Sequence, residues 1–286
     1  MLTSTHRIGV LTIVVLAACS WLFAAGEEPK PANRFTARSQ APKDGKFVKA
    51  ERPVEWAGGE TALLIVDLWD KHWCAGATRR ATEIAPRIDA LARAIRARGG
   101  LVVHAPSDTM KHYEGTPQRA LAKAAPKATP PTPARGWRYL NRHREGPLPI
   151  DDGDGGCDCQ PQCAQPSGGK YPWTRQSPLI EVAAGDAVSQ DGQEVFNLFA
   201  QRGVKRVVVC GVHLNMCVLG RSFAIRQLTE WGFDVVLARD LTDTMYNPRR
   251  PPFVAHDQGT QLVVEHVERY WCPTTTSDQI INAKKD

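Results

Sequence analysis

The run Val207-Val208-Val209-Cys210-Gly211-Val212-His213-Leu214-Asn215-Met216-Cys217 carries a buried apolar stretch through a short turn onto a thiol, and a helical segment follows. A cysteine opening a helix feels the positive end of the helix dipole and the nearby backbone amides, so a lowered pKa and thiolate attack on a carbonyl are expected. Backbone N–H groups of the same turn would hold the oxyanion of a tetrahedral intermediate, at roughly 3 to 4 kcal/mol per donor. A buried, inert cysteine is the competing reading.

Asp67 is the second chemical residue, at the end of the apolar run Ala62-Leu63-Leu64-Ile65-Val66. A carboxylate beside a thiol exchanges its proton, as a general acid or base; a helix N-cap or turn position is the plainer role. His104 ends a further buried run, Leu101-Val102-Val103. In an open parallel sheet ligands bind beyond the carboxyl ends of the strands, so Asp67, His104 and the turn from Gly211 to Cys217 converge on one cleft. Trp69, His104, Asn215 and Arg221 are the candidates for touching substrate. Trp73, Trp137 and Trp173 join Trp69 either as pocket walls or as core filling. Arg221 and Arg226 follow Cys217 on its helix and suit a substrate carboxylate or a solvated face. The segment from Arg239 to Pro248, with Thr242, Asp243 and Tyr246, reads as a site wall or as helix capping.

These residues need elements to position them. The unbroken apolar runs are strands covered on both faces, and Ile84, Ile88, Leu91 and Ile95 recur at helical spacing before Gly99-Gly100, which makes a βαβ unit. After Leu179-Ile180-Glu181-Val182, a helix from about Gln193 to Arg202, the strand at Val207, a helix from Cys217 to about Trp231, the strand Val235-Val236-Leu237, an amphipathic helix near Gly259 to Tyr270 and a short segment at Cys272-Pro273-Thr274 resume the alternation. The expected fold is α/β in three layers, a mainly parallel sheet of about six strands with helices on both faces. Residues 106 to 178, rich in proline and carrying Asp151, Asp152, Asp154 and Cys157-x-Cys159-x3-Cys163, interrupt it as a loop insertion over the C-terminal edge.

Ahead of the domain at 61 to 286, residues 27 to 60 have prolines and charges without apolar period and read as a tether and irregular entry segment. His6 and Arg7 precede an apolar run from Ile8 to Ala18, so residues 1 to 26 read as a signal peptide. Cleavage fits either Cys19, as in a lipoprotein, or the Ala24-Ala25-Gly26 site. The protein is therefore expected in the periplasm or cell envelope, lipid-anchored or free, as a homo-oligomer. Its 36 basic and 30 acidic residues are interspersed, which argues against a nucleic-acid partner, and any membrane contact would come through the anchor.

Export favours disulfides among Cys157, Cys159 and Cys163, whose spacing is short for a zinc ribbon and lacks a second cysteine pair. The acidic residues beside them support calcium only weakly, because no bidentate glutamate follows at EF-hand spacing.

Ile65-Val66-Asp67-Leu68 together with the stretch from Val207 to Val218 resembles the isochorismatase-like cysteine hydrolases, which include nicotinamidases and other amidases. The resemblance covers about 61 to 105 and 179 to 275. It implies catalysis by Asp67 and Cys217, a cis peptide between Val212 and His213, and an oxyanion hole formed by the amides of His213 and Cys217. It also implies a lysine after a strand similar to Asp186-Ala187-Val188-Ser189-Gln190, where this chain has Asp191. Asp191 in an altered role, or Lys170 or Lys111 reaching in from the insertion, would have to replace that lysine. The family's nicotinamidases bind a divalent ion after the second strand; here His104, Asp108 and His112 are the candidates, with zinc or a similar ion suiting the set. The reaction requires no cofactor. The resemblance implies a hydrolase for a small amide or related acyl substrate; the alternative is a catalytically degenerate relative that binds a small ligand or an envelope partner without turnover.

Overall fold

The computed structural model describes residues 1–2 and 32–283. The expected signal peptide, with Cys19, lies outside the described residues apart from Met1 and Leu2, and no helix among the described residues is long and apolar enough to cross a membrane.

The sheet has eight strands in the order β2-β1-β8-β7-β6-β3-β4-β5. Six of them run parallel: β3 (Thr61–Val66), β4 (Leu101–Ala105), β5 (Ala187–Val188), β6 (Arg206–Val212), β7 (Asp234–Asp243) and β8 (Thr274–Thr275). The other two are an antiparallel hairpin, β1 (Asn33–Lys43) and β2 (Lys46–Trp56), that extends the sheet beyond β8. This hairpin corrects the expected tether over 27 to 60. Its apolar period is hard to see because only Phe35, Ala37, Val54 and Trp56 are buried hydrophobics there. Pro53 is tolerated because β2 is an edge strand, and Lys46, Lys49, Glu51 and Arg52 keep that edge charged.

Alternation along β3 divides the core into two. Leu63 and Ile65 pack with Ile88, Leu91 and Ile95 of α1 (Ala75–Ala97). Leu64 and Val66 face the opposite way. There they meet Leu198 and Phe199 of α4 (Gly192–Arg202) and Val263 and Val267 of α7 (His256–Tyr270). The result is a three-layer α/β domain with helices on both faces.

Between β4 and β5 the insertion forms α2 (Met110–Tyr113) and α3 (Pro117–Ala124) and is otherwise irregular. It reaches the strand ends through bridges between Trp69 and Gln176 and between Trp137 and Arg221. Its anchor is Glu145, which accepts hydrogen bonds from Arg226 Nε (2.8 Å) and Nη2 (2.9 Å) and from Trp271 Nε1 (2.8 Å), with His266 Nε2 also at 2.8 Å. These partners hold its carboxyl at about 2 despite burial.

The helix expected from Cys217 to about Trp231 is broken in two, α5 (Cys217–Gly220) and α6 (Ile225–Glu230), because Arg221 turns extended to pair with Trp137. The stretch Leu179 to Val182 forms no strand, and β7 continues through Thr242 and Asp243. A last helix, α8 (Ser277–Ile281), packs on α1 and β1.

Candidate active site

Asp67 leaves β3 in the left-handed region, with φ of 47°, a conformation that aspartate tolerates better than most residues. It is fully buried, and both oxygens are held: Oδ1 accepts from the Ser107 amide at 2.7 Å and Oδ2 from Arg221 Nε at 2.9 Å. The carboxylate is therefore fixed between the end of β4 and the turn after β6.

That turn begins at Gly211, whose φ is 111° and where a Cβ would stand 2.0 Å from the Val66 carbonyl oxygen. Only glycine lets β6 pass β3 so closely. The Val212–His213 peptide is cis, as the resemblance implies. Cys217 then opens α5, 8% exposed, with its thiol close enough to Asp67 to feel the carboxylate's charge. Its pKa is raised well above that of an ordinary thiol, first by burial and then by the Asp67 charge, while Arg221 pulls the other way. The expected lowering is corrected for a physical reason: α5 spans four residues, too short a dipole to offset burial beside a carboxylate.

Arg221 follows four residues after Cys217 and directs its guanidinium at Asp67 instead of a substrate carboxylate. Its Nη2 lies 3.7 Å from Asp108 Oδ2, and the Trp137 ring covers it with the centroid 5.6 Å away. Trp137 fits because its ring lies where a side chain on Gly220 would be. A cation thus meets the carboxylate, and it comes from the turn that carries Cys217. Asp191 caps α4 by accepting from the Glu194 amide at 2.9 Å. Among the described residues neither Asp191 nor the exposed Lys111 and Lys170 bonds to Asp67.

His104, Asp108 and His112 are not brought together as metal ligands. His104 is buried with both ring nitrogens engaged, Nδ1 taking a hydrogen bond from Gln176 Nε2 and Nε2 donating to Asp186 Oδ2 at 2.9 Å. No lone pair is left on it for an ion or a substrate. Asn215 staples loops, its Nδ2 donating to Asp152 Oδ2 (2.8 Å) and its Oδ1 accepting from the Met245 amide (3.0 Å). Arg226 belongs to the Glu145 anchor.

Aromatic rings from the loop after Asp67 and from the insertion form a ledge. Trp69 stacks on Trp173 at 4.1 Å, and Tyr171 on the other side of Trp173 at 4.2 Å. Trp69, Trp173 and Cys217 share one core cluster. His72 stands between Trp173 and His213, with centroids 5.4 and 4.9 Å away. Burial drives the imidazole pKa values down, to about 4 for His213 and about 3 for His72, so both rings are neutral at pH 7. Trp173 Nε1, His213 Nε2 and Ser107 Oγ are buried without a hydrogen-bond partner. Each is a buried polar atom whose partner the fold itself does not supply.

Two further features escape sequence reasoning, the Arg221–Asp67 pair and the company of Cys74. Neither left a signal in the spacing, because Arg221 lies 154 positions from Asp67 and Cys74 lies 85 from Cys159.

No family model matches the sequence, and no curated protein does. Among solved structures the chain is similar to a cysteine hydrolase from Pseudomonas syringae pv. phaseolicola 1448A, at 17% identity over 80% of this chain and 95% of that one, with a TM-score of 0.48. It is also similar to an isochorismatase from Pseudomonas putida KT2440, at 15% identity over 78% and 91%, TM-score 0.45. An N-carbamoylsarcosine amidase from Thermoplasma acidophilum matches at 13% identity over 77% and 97%, TM-score 0.38. At TM-scores no higher than 0.48 these likenesses carry no functional weight.

Proposed function

We propose that the chain is an exported cysteine hydrolase of the isochorismatase-like type, acting on a small amide or related acyl compound through Cys217. One observation carries this reading: Cys217 opens a helix within electrostatic reach of a buried carboxylate that is itself held by a guanidinium and a backbone amide.

The raised thiol pKa shapes the mechanism. Cys217 rests neutral, and its proton passes to Asp67 as sulfur attacks the carbonyl carbon. The carbonyl π electrons move to oxygen, where the amides of His213 and Cys217 receive them. The intermediate collapses as Asp67 returns the proton to the leaving nitrogen and the C–N bond breaks, leaving a thioester. Water then attacks the thioester, giving Asp67 its proton; the C–S bond breaks, and that proton returns to sulfur. Arg221 keeps the carboxylate oriented and offsets its charge when it is unprotonated. The Tyr171, Trp173 and Trp69 ledge suits a flat acyl group, with Trp173 Nε1 as a donor for its polar atoms.

The test is a panel of small amides and esters assayed with the wild type and Cys217→Ser. Turnover by the wild type that falls to background in Cys217→Ser is expected; turnover that survives the substitution overturns the reading.

The buried, high-pKa thiol also favours one rival, a degenerate relative that binds a small ligand or envelope partner without turnover. Saturable ligand binding by both proteins, with the ligand recovered unchanged, would select it. Export rests on residues 1 to 26 and is tested by fractionating cells that make the full chain or its Cys19→Ser variant. Absence of both from the envelope and periplasm counts against it.

A further inference from the structure

The second cysteine cluster carries an inference independent of the hydrolase reading. Cys74 lies at the N-cap of α1, on the loop that descends from Asp67, while Cys157, Cys159 and Cys163 belong to the insertion. All four sulfurs lie within 4.8 Å of one another, and all four are unpaired thiols. We propose that Cys74, Cys157, Cys159 and Cys163 form a tetrathiolate site for one zinc ion, which clasps the insertion to the start of α1.

The dimensions fit. Zinc–sulfur bonds of about 2.3 Å in a tetrahedron separate the sulfurs by about 3.8 Å. Cys74 Sγ and Cys159 Sγ are 3.8 Å apart. The span suits one ion and is too small for a multi-iron cluster.

Backbone donors point at the sulfurs as they would at thiolates. The Gly76 amide donates to Cys159 Sγ at 3.2 Å, the Ala75 amide to Cys163 Sγ at 3.4 Å, and the Cys163 amide to Cys157 Sγ at 3.4 Å. Ala75 and Gly76 are first-turn residues of a 23-residue helix, so their N–H groups have no intrahelical acceptor and lie at its positive end.

The surroundings are largely apolar. Ala77 and Met245 pack with the cluster, and Trp73 and Met216 flank it. Asp158 accepts from Arg80 Nη1 through Oδ2 at 2.7 Å and from Cys74 Sγ through Oδ1 at 3.9 Å, so the guanidinium balances the one carboxylate that reaches the sulfurs. Four soft sulfurs without an open position describe a structural site, for which zinc is the fitting ion. Loading exchanges four thiol protons for one Zn²⁺ and leaves a dianionic centre that the amide donors stabilise.

The four-ligand set was hidden in the sequence because Cys74 lies 85 positions before Cys159. The three clustered cysteines therefore looked like a disulfide loop. In the fold they complete one coordination sphere across two segments, and Met216, the residue before the nucleophile, packs against it.

Elemental analysis of the full chain purified without chelator or a histidine tag should find one zinc per chain. Cobalt substitution should give the intense visible bands of a tetrahedral cobalt tetrathiolate. Cys159→Ser and Cys163→Ser should lose the zinc, whereas Cys217→Ser and Cys272→Ser should keep it. Should the cluster variants fail to fold, metal-free wild type prepared with a chelator and titrated with zinc provides the readout: one equivalent bound, and a Tm restored to that of the untreated protein. Three results would each overturn the proposal: less than about a tenth of an equivalent bound in that titration, iron in place of zinc, or disulfides among the four cysteines in non-reducing peptide maps of the isolated protein.

Discussion

Arg221 Nε lies 2.9 Å from Asp67 Oδ2, so the cation of this site arrives on the same turn as the thiol, four residues after Cys217. The carboxylate's charge is met within that turn, without a lysine from another strand. The arrangement ties orientation of the carboxylate to the turn that presents Cys217.

Arg221→Met should therefore lower kcat/KM by about 10²-fold or more, mainly through kcat, because it frees the carboxylate that takes the proton. Arg221→Lys should recover part of that loss, since an ammonium supplies the charge without the planar fork. Steady-state kinetics on whichever amide the wild type turns over checks both; equal loss in the two variants would count against a charge-orienting role.

Alkylation of Cys217 should be slow at pH 7 and climb about tenfold per pH unit through pH 9, following the thiolate fraction. Asp67→Asn removes a charge that raises the thiol pKa, so its alkylation curve should move to lower pH even as turnover disappears. Iodoacetamide labelling read by mass spectrometry resolves the two curves. A wild-type plateau below pH 8 would contradict the raised pKa.

Glu145 makes the insertion's attachment acid-sensitive. Its folded pKa of about 2 lies below the ordinary 4.5, so its contribution is fully present above pH 4.5 and is lost as pH falls toward 2. That shift amounts to about 3 kcal/mol for a buried, fully paired carboxylate. Glu145→Gln should lower the urea midpoint at pH 7, with the gap to wild type closing between pH 4.5 and 2.

Gly211→Ala should destabilise the fold by more than about 4 kcal/mol, because the new methyl would meet the Val66 carbonyl oxygen at 2.0 Å in a conformation that already disfavours a side chain. Thermal unfolding or loss of soluble protein reports it. A Tm within a few degrees of wild type would show that β3 and β6 can separate here.

Much of the framework is legible in the chain because buried parallel strands are unbroken apolar runs; Ala62 to Val66 and Val207 to Val209 announce themselves, and with them the strand ends that carry Asp67 and Cys217. The hairpin is not legible, since its buried positions are few and its outer strand is charged and contains Pro53. Asp191 illustrates a local signal that outranks an analogy, because an aspartate three residues before Glu194 at a helix start is a cap first. The partner of Arg221 and the gathering of Cys74 with the insertion depend on tertiary approach, which neither spacing nor composition encodes. The reversed direction of the Cys217 pKa has the same origin, since the dipole is visible in sequence order and the burial is not.

Cys217 sits 8% exposed with its proton retained. Oxidation of cysteine to sulfenic and higher acids proceeds through the thiolate and requires access. The burial that raises the Cys217 pKa therefore also shields the thiol from peroxide, and lengthens its chemical lifetime wherever oxidants are abundant.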